Sequence, residues 1–123
     1  MLSGERLLIV EEEFLIALDI QRVLEDAHAA KAVFARNYKE LAALEARFGE
    51  FDLAIVTPPK LGTSETMLLE RLAQSGPALV VCSATRVRIA DGVMATAELV
   101  YKPFSDDELL DACKRALAAR KPV

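Results

Sequence analysis

Four short apolar runs in this chain each stop abruptly at polar residues. Arg6-Leu7-Leu8-Ile9-Val10 enters Glu11-Glu12-Glu13, and Asp52-Leu53-Ala54-Ile55-Val56 enters Thr57. Ala78-Leu79-Val80-Val81-Cys82 enters Ser83-Ala84, and Glu98-Leu99-Val100-Tyr101 enters Lys102-Pro103-Phe104. The runs are too short for helices and too continuously apolar to leave one side in water. Runs of this kind, rich in β-branched residues and bounded by turn signals, read as parallel strands buried on both faces. Parallel strands need crossover connections, and the segments between the runs supply them.

Ile16, Ile20, Val23, Leu24 and Ala27 recur at helical spacing after the first run. A short strand is predicted over residues 31–35. Asn37 then reads as an N-cap with Glu40 three residues on, a capping box. Leu41, Leu44 and Phe48 form the apolar face of that helix, and Gly49 ends it. Two prolines and a glycine make residues 57–62 a loop. A helix over residues 64–74 carries Leu68, Leu69 and Leu72 and stops at Gly76-Pro77. Residues 86–95 form a weaker helical segment, interrupted by Gly92. Ser105 as N-cap, Glu108 reaching back and acids in the first turn open the last helix. Leu109, Leu110, Cys113, Ala116 and Leu117 are its inward face.

Strand and helix alternate throughout, so residues 1–123 are expected to form one α/β domain. The predicted architecture is a flavodoxin-like (βα)5 doubly wound parallel sheet with strand order 2-1-3-4-5. With 53% apolar residues, the chain can fill a core on both sides of that sheet. No apolar run approaches the ~18–20 residues a membrane span requires. The N-terminus lacks the basic stretch and long apolar core of a signal peptide, which predicts a cytoplasmic protein without a membrane partner. A net charge of −4 argues against a nucleic-acid partner. Lys114, Arg115, Arg120 and Lys121 are expected to be a solvated helix end favoured by the helix dipole. Cys82 and Cys113 fall at apolar positions and read as small buried hydrophobes, with no metal-ligand spacing around them or His28.

The carboxyl ends of parallel strands line the ligand crevice of an open α/β sheet. Two carboxylates, Thr57, Ser83 and Lys102 should therefore converge on one sheet edge. This constellation resembles the receiver domain of bacterial two-component response regulators, over essentially the whole chain. Lys102-Pro103-Phe104 before a capped helix is the most specific part of the match. The resemblance implies that Glu11 and Glu12 correspond to the acidic pair that helps to hold a magnesium ion. Ser83 corresponds to the hydroxyl that contacts the phosphoryl group, and Lys102 to the lysine that pairs with it. It also implies a cis peptide before Pro103.

The sequence departs from the family where the chemistry is done. Thr57 stands at the position of the phosphorylated aspartate. A carboxylate attacks a phosphoryl group directly, whereas a threonine hydroxyl needs a base and would form a stable ester. The exchange also removes a charge and an oxygen ligand from the metal site. Glu12 stands where aspartate is more common, and its extra methylene works against the near-octahedral geometry that magnesium demands. The switch aromatic is replaced by Leu99, with Tyr101 two residues along on the same strand face. Pro58 and Pro59 stiffen the loop after Thr57, and Leu61 replaces a usual proline. Lys102 is expected to pair with Glu11 or Glu12, because a buried ammonium without an acidic neighbour is costly. Glu13 is expected to serve the start of the first helix.

The resemblance thus implies a non-enzymatic signalling module that is not phosphorylated by the usual aspartyl route and works through protein contacts. Its partners would be a histidine kinase, a phosphotransfer protein or an output protein, or a second copy in a homodimer. The contact face would combine the fourth helical segment (residues 86–95), the fifth strand and the last helix. Arg86, Arg88, Asp91, Tyr101 and Asp106 would contribute to it. A second reading makes Glu11, Glu12 or Thr57 an unusual phosphoacceptor. The third is a small α/β enzyme using the same crevice, for which neither a Gly-rich phosphate loop nor a Ser-His-acid set is present.

Overall fold

The computed structural model describes residues 2–60, 62–84 and 97–120. The apolar runs form β1 (Leu7–Val10), β3 (Leu53–Val56), β4 (Ala78–Ser83) and β5 (Glu98–Tyr101), and β2 is Ala32–Ala35. All pairings are parallel, in the order β2-β1-β3-β4-β5. The helices are α1 (Phe14–Asp26), α2 (Tyr38–Ala42), α3 (Ser64–Gln74) and α4 (Asp106–Ala119). The segment at 86–95 lies outside the described residues.

Alternation along the strands divides the core into two layers. Leu7, Ile9, Leu53, Ile55, Val80, Cys82 and Val100 face α1 and α4. Leu8, Val10, Ala54, Val56, Leu79 and Val81 face α2 and α3. Every residue of β1, β3 and β4 is buried, as strands covered by helices on both sides must be. Cys82 and Cys113 are buried free thiols within the first layer.

The region after Asn37 departs from the predicted continuous helix. The Asn37 side chain caps α2 by accepting the Glu40 N–H, but the Glu40 carboxylate accepts from Arg36 N rather than from Asn37. The helix ends at Ala42, and a 3-10 helix covers Glu45–Glu50, so Gly49 lies inside it. Inward residues explain the change. Tyr38, Leu41 and Leu44, then Phe48 and Phe51, point inward at spacings of three, the repeat of the tighter helix.

The last helix opens as expected. Ser105 Oγ accepts the Glu108 N–H at 3.1 Å, and the Glu108 carboxylate accepts the Ser105 N–H at 3.3 Å. Its basic residues are not simply solvated. Arg115 pairs with Glu98 of β5, and Arg120 donates to both the carbonyl and the carboxylate of Asp52. Asp52 also accepts the backbone N–H of Arg6 at 2.9 Å, so one carboxylate ties together the starts of β1 and β3 and the end of α4.

Candidate functional site

The sheet register sets the site. Val10 lies beside Val56, and Val56 beside Val81, so Glu11 and Thr57 are the next residues outward on adjacent strands. Their backbones extend the ladder: Glu11 N donates to Ala35 O, and Thr57 N to Val10 O. Ser83 pairs in register with Tyr101, and the Ser83 carbonyl accepts the Lys102 N–H at 2.8 Å. The Lys102–Pro103 peptide is cis.

Glu11 is buried, with its side chain 3% exposed, while Glu12 points into solvent. The Lys102 ammonium donates to Glu11 Oε1. Glu11 Oε2 accepts the backbone N–H of Glu13 at 3.2 Å, at the entry to α1. Of the two expected partners, Glu11 thus takes Lys102. Glu13 is the N-cap residue of α1; its side chain makes no capping bond, and its backbone N–H is taken by Glu11. In the sheet, β3 and β4 lie between β1 and β5. The Lys102–Glu11 pair therefore passes over the ends of the strands that carry Thr57 and Ser83. Ser83 is buried and Thr57 half-buried.

Thr57 is held from another direction. The Tyr38 hydroxyl donates to the Thr57 carbonyl, and burial together with the nearby Glu65 charge pushes the Tyr38 phenol well above its ordinary value of 10. Downstream, Thr63 and Thr66 hydroxyls both donate to the Lys60 carbonyl, and the Lys60 N–H donates to Glu65 at 2.9 Å. Pro59 is buried. Lys60 is thereby tied to the N-cap and first turn of α3. Sequence reasoning gave Tyr38, Thr63, Thr66 and Glu65 no role. The signals for them are weak: a Tyr directly after an N-cap Asn, and a Thr two residues before an acid at a helix start.

On β5, Leu99 and Tyr101 lie on one face and Val100 on the other. Leu99 packs against the α2–α3 core layer, Val100 belongs to the opposite layer, and Tyr101 is 43% exposed. Of the expected contact residues, Arg86, Arg88 and Asp91 lie outside the described residues. Asp106 turns to Arg22 of α1.

A five-strand parallel sheet in this order, with Glu11, Thr57, Ser83 and Lys102 at the strand ends, can be compared with known proteins. No protein-family model and no curated sequence matches the chain. Solved structures do. A response regulator from Thermotoga maritima aligns over 95% of this chain and 100% of its own, at 24% identity and a TM-score of 0.76. A response regulator receiver protein from Sinorhizobium medicae aligns over 98% and 100%, at 17% identity and a TM-score of 0.77. One from Bacillus halodurans, a response regulator receiver domain protein, covers 98% and 100%, at 22% identity and 0.74. The fold is that of a response regulator receiver domain.

On this receiver fold the strand ends would offer magnesium an incomplete donor set. One Glu11 oxygen holds the Lys102 ammonium and the other a backbone N–H. Glu12 faces solvent, and Thr57 presents a hydroxyl rather than a carboxylate at the end of β3. Among the described residues, no group of three or more His, Cys, Asp or Glu side chains is placed to hold a metal. The donors at these strand ends do not fit a magnesium ion, which requires near-ideal octahedral oxygen ligation. Nor is any helix among the described residues long and apolar enough to cross a membrane.

Proposed function

We propose that the chain is a non-enzymatic, cytoplasmic signalling module of the two-component type that acts through protein contacts without aspartyl phosphorylation. The observation that carries this reading is the neutralised lysine. Lys102, the residue that would meet a phosphoryl group, is paired with Glu11 across the strand ends, and the neighbouring strand presents Thr57 in place of a carboxylate. Glu11 offers no better acceptor, because nucleophilic attack would require it to give up its ammonium partner in a buried setting. The tie of Lys60 to the start of α3 and the absence of an aromatic at Leu99 support the same reading. Histidine kinases, phosphotransfer proteins and output proteins are the partner classes this module would contact.

The test is intact mass after incubation with magnesium and acetyl phosphate, beside a Thr57→Asp variant. The expected result is no adduct on the native chain and a hydroxylamine-labile adduct of one phosphoryl group on the variant. A labile adduct on the native chain would overturn the proposal and identify another carboxylate as acceptor.

A further inference from the structure

The order of the sheet gives β2 a neighbour, β1, on one side and no strand on the other. The Glu11 N–H donates to the Ala35 carbonyl, so β1 takes the peptide groups of Ala35 and, one alternation earlier, those of Val33. The peptide groups of Ala32 and Phe34 therefore point away from the sheet. Among the described residues, no loop or side chain takes them. Such an edge is a template for one more strand. Phe34 adds an apolar surface to it: its neighbour in register, Ile9, is buried in the α1–α4 layer, whereas Phe34 is 40% exposed.

Charge decides what this edge can accept. The chain carries a net charge of −4, and most of its described basic side chains are held in ion pairs. Lys31 and Arg36, which bracket β2, and Lys39 in α2 are exposed and make no ion pair among the described residues. No Asp or Glu occurs from Ala27 to Lys39. The nearest acids are engaged: Asp26 with Arg22, Glu40 with the Arg36 N–H, and Glu5 with the Ser3 N–H. Two copies meeting β2 to β2 would set these cations against one another. A single-stranded nucleic acid would find one aromatic ring where successive bases need several, and it has no strand backbone to match the free peptide groups.

We infer that the free edge of β2 accepts an acidic, extended segment of another protein as an added strand. Main-chain bonds to Ala32 and Phe34 would hold the segment, an apolar side chain would cover Phe34, and carboxylates would meet Lys31, Arg36 and Lys39. The inference rests on the reading of the chain as a contact module and names one surface through which it acts.

The test uses a blocked peptide of alternating Val and Glu, about 6 to 8 residues long, the length of an ordinary strand. One control carries Lys in place of Glu, and another is N-methylated at alternate peptide groups so that it cannot complete a ladder. Amide shifts and hydrogen exchange of the isotope-labelled chain are followed during titration. The expected result is saturable shifts along residues 31–36, slowed exchange of the Ala32 and Phe34 amides, and weakening at high salt. Neither control should bind. Lys31→Glu/Lys39→Glu should weaken binding by about tenfold. Both side chains are exposed, so an unchanged thermal melt shows that the variant is folded. Absence of binding, equal binding of either control, or shifts confined to another surface would overturn the inference. So would the same shifts with an oligothymidylate, or self-association through β2, which would assign the edge to nucleic acid or to a second copy. Any of these results leaves the contact-module reading in place. That reading falls by a different observation, a phosphoryl adduct on the native chain.

Discussion

Lys102, at the end of β5, lays its ammonium on the buried carboxylate of Glu11, at the end of β1, across the two strands between them. The Lys102 side chain is 15% exposed and that of Glu11 3%, so neither charge is well hydrated. Removing one partner strands the other. Lys102→Met and Glu11→Gln are each expected to destabilise the fold by about 2–4 kcal/mol in urea unfolding. The combination Lys102→Met/Glu11→Gln should cost clearly less than the sum of the two, because it leaves no orphaned charge. Additive losses would show that the two residues do not act as a pair.

Tyr38 secures Thr57 at the end of β3. Tyr38→Phe leaves the Thr57 carbonyl without its hydroxyl donor and should cost about 1–2 kcal/mol. Burial, and then the Glu65 charge, raise the phenol above its ordinary value of 10. Its contribution is thus fully present below pH 10 and is lost as the pH climbs beyond that. In a Tyr101→Phe variant Tyr38 is the sole tyrosine, and its phenolate absorbance should rise only well above pH 10 in the folded protein and near 10 in urea.

Asp52 anchors the opposite end of the sheet. Burial works to raise its pKa, but the Arg6 N–H and the Arg6 and Arg120 guanidiniums outweigh it and hold the carboxyl below its ordinary value of 3.8. A depressed pKa gives stability that is present above pH 3.8 and disappears as the pH falls through the lower, folded value. Asp52→Asn is therefore expected to cost about 1 kcal/mol at pH 7. The two proteins should converge in stability as urea titrations are taken below pH 3.8.

Both thiols are silenced by burial. Burial pushes the Cys82 thiol up to about 12 despite the Lys102 ammonium, and raises that of Cys113 further. The thiolate is the reactive form, so a disulfide reagent at pH 8 should label neither residue in the native state and both in denaturant. Rapid labelling of folded protein would contradict their placement in the core.

What the sequence determined by itself was everything carried by local pattern. The apolar runs specify strands, their unbroken character specifies burial on two faces, and the helical spacings specify the crossovers. With the topology rules of doubly wound sheets, these lead to the sheet order and the convergence of Glu11, Thr57, Ser83 and Lys102, and the Ser105–Glu108 capping box is equally local. Tertiary structure decided what depends on packing between distant residues. Glu11 and Glu12 are chemically alike, and only burial separates them: Glu11 continues β1 inward to meet Lys102, 91 residues away, while Glu12 turns to water. Spacing alone read residues 38–48 as one helix, and the need to seat Phe48 and Phe51 against the sheet tightened it into a 3-10 turn. The Tyr38–Thr57 bond and the Asp52 junction with Arg6 and Arg120 have no local signature, because each joins elements that meet only when the sheet is assembled.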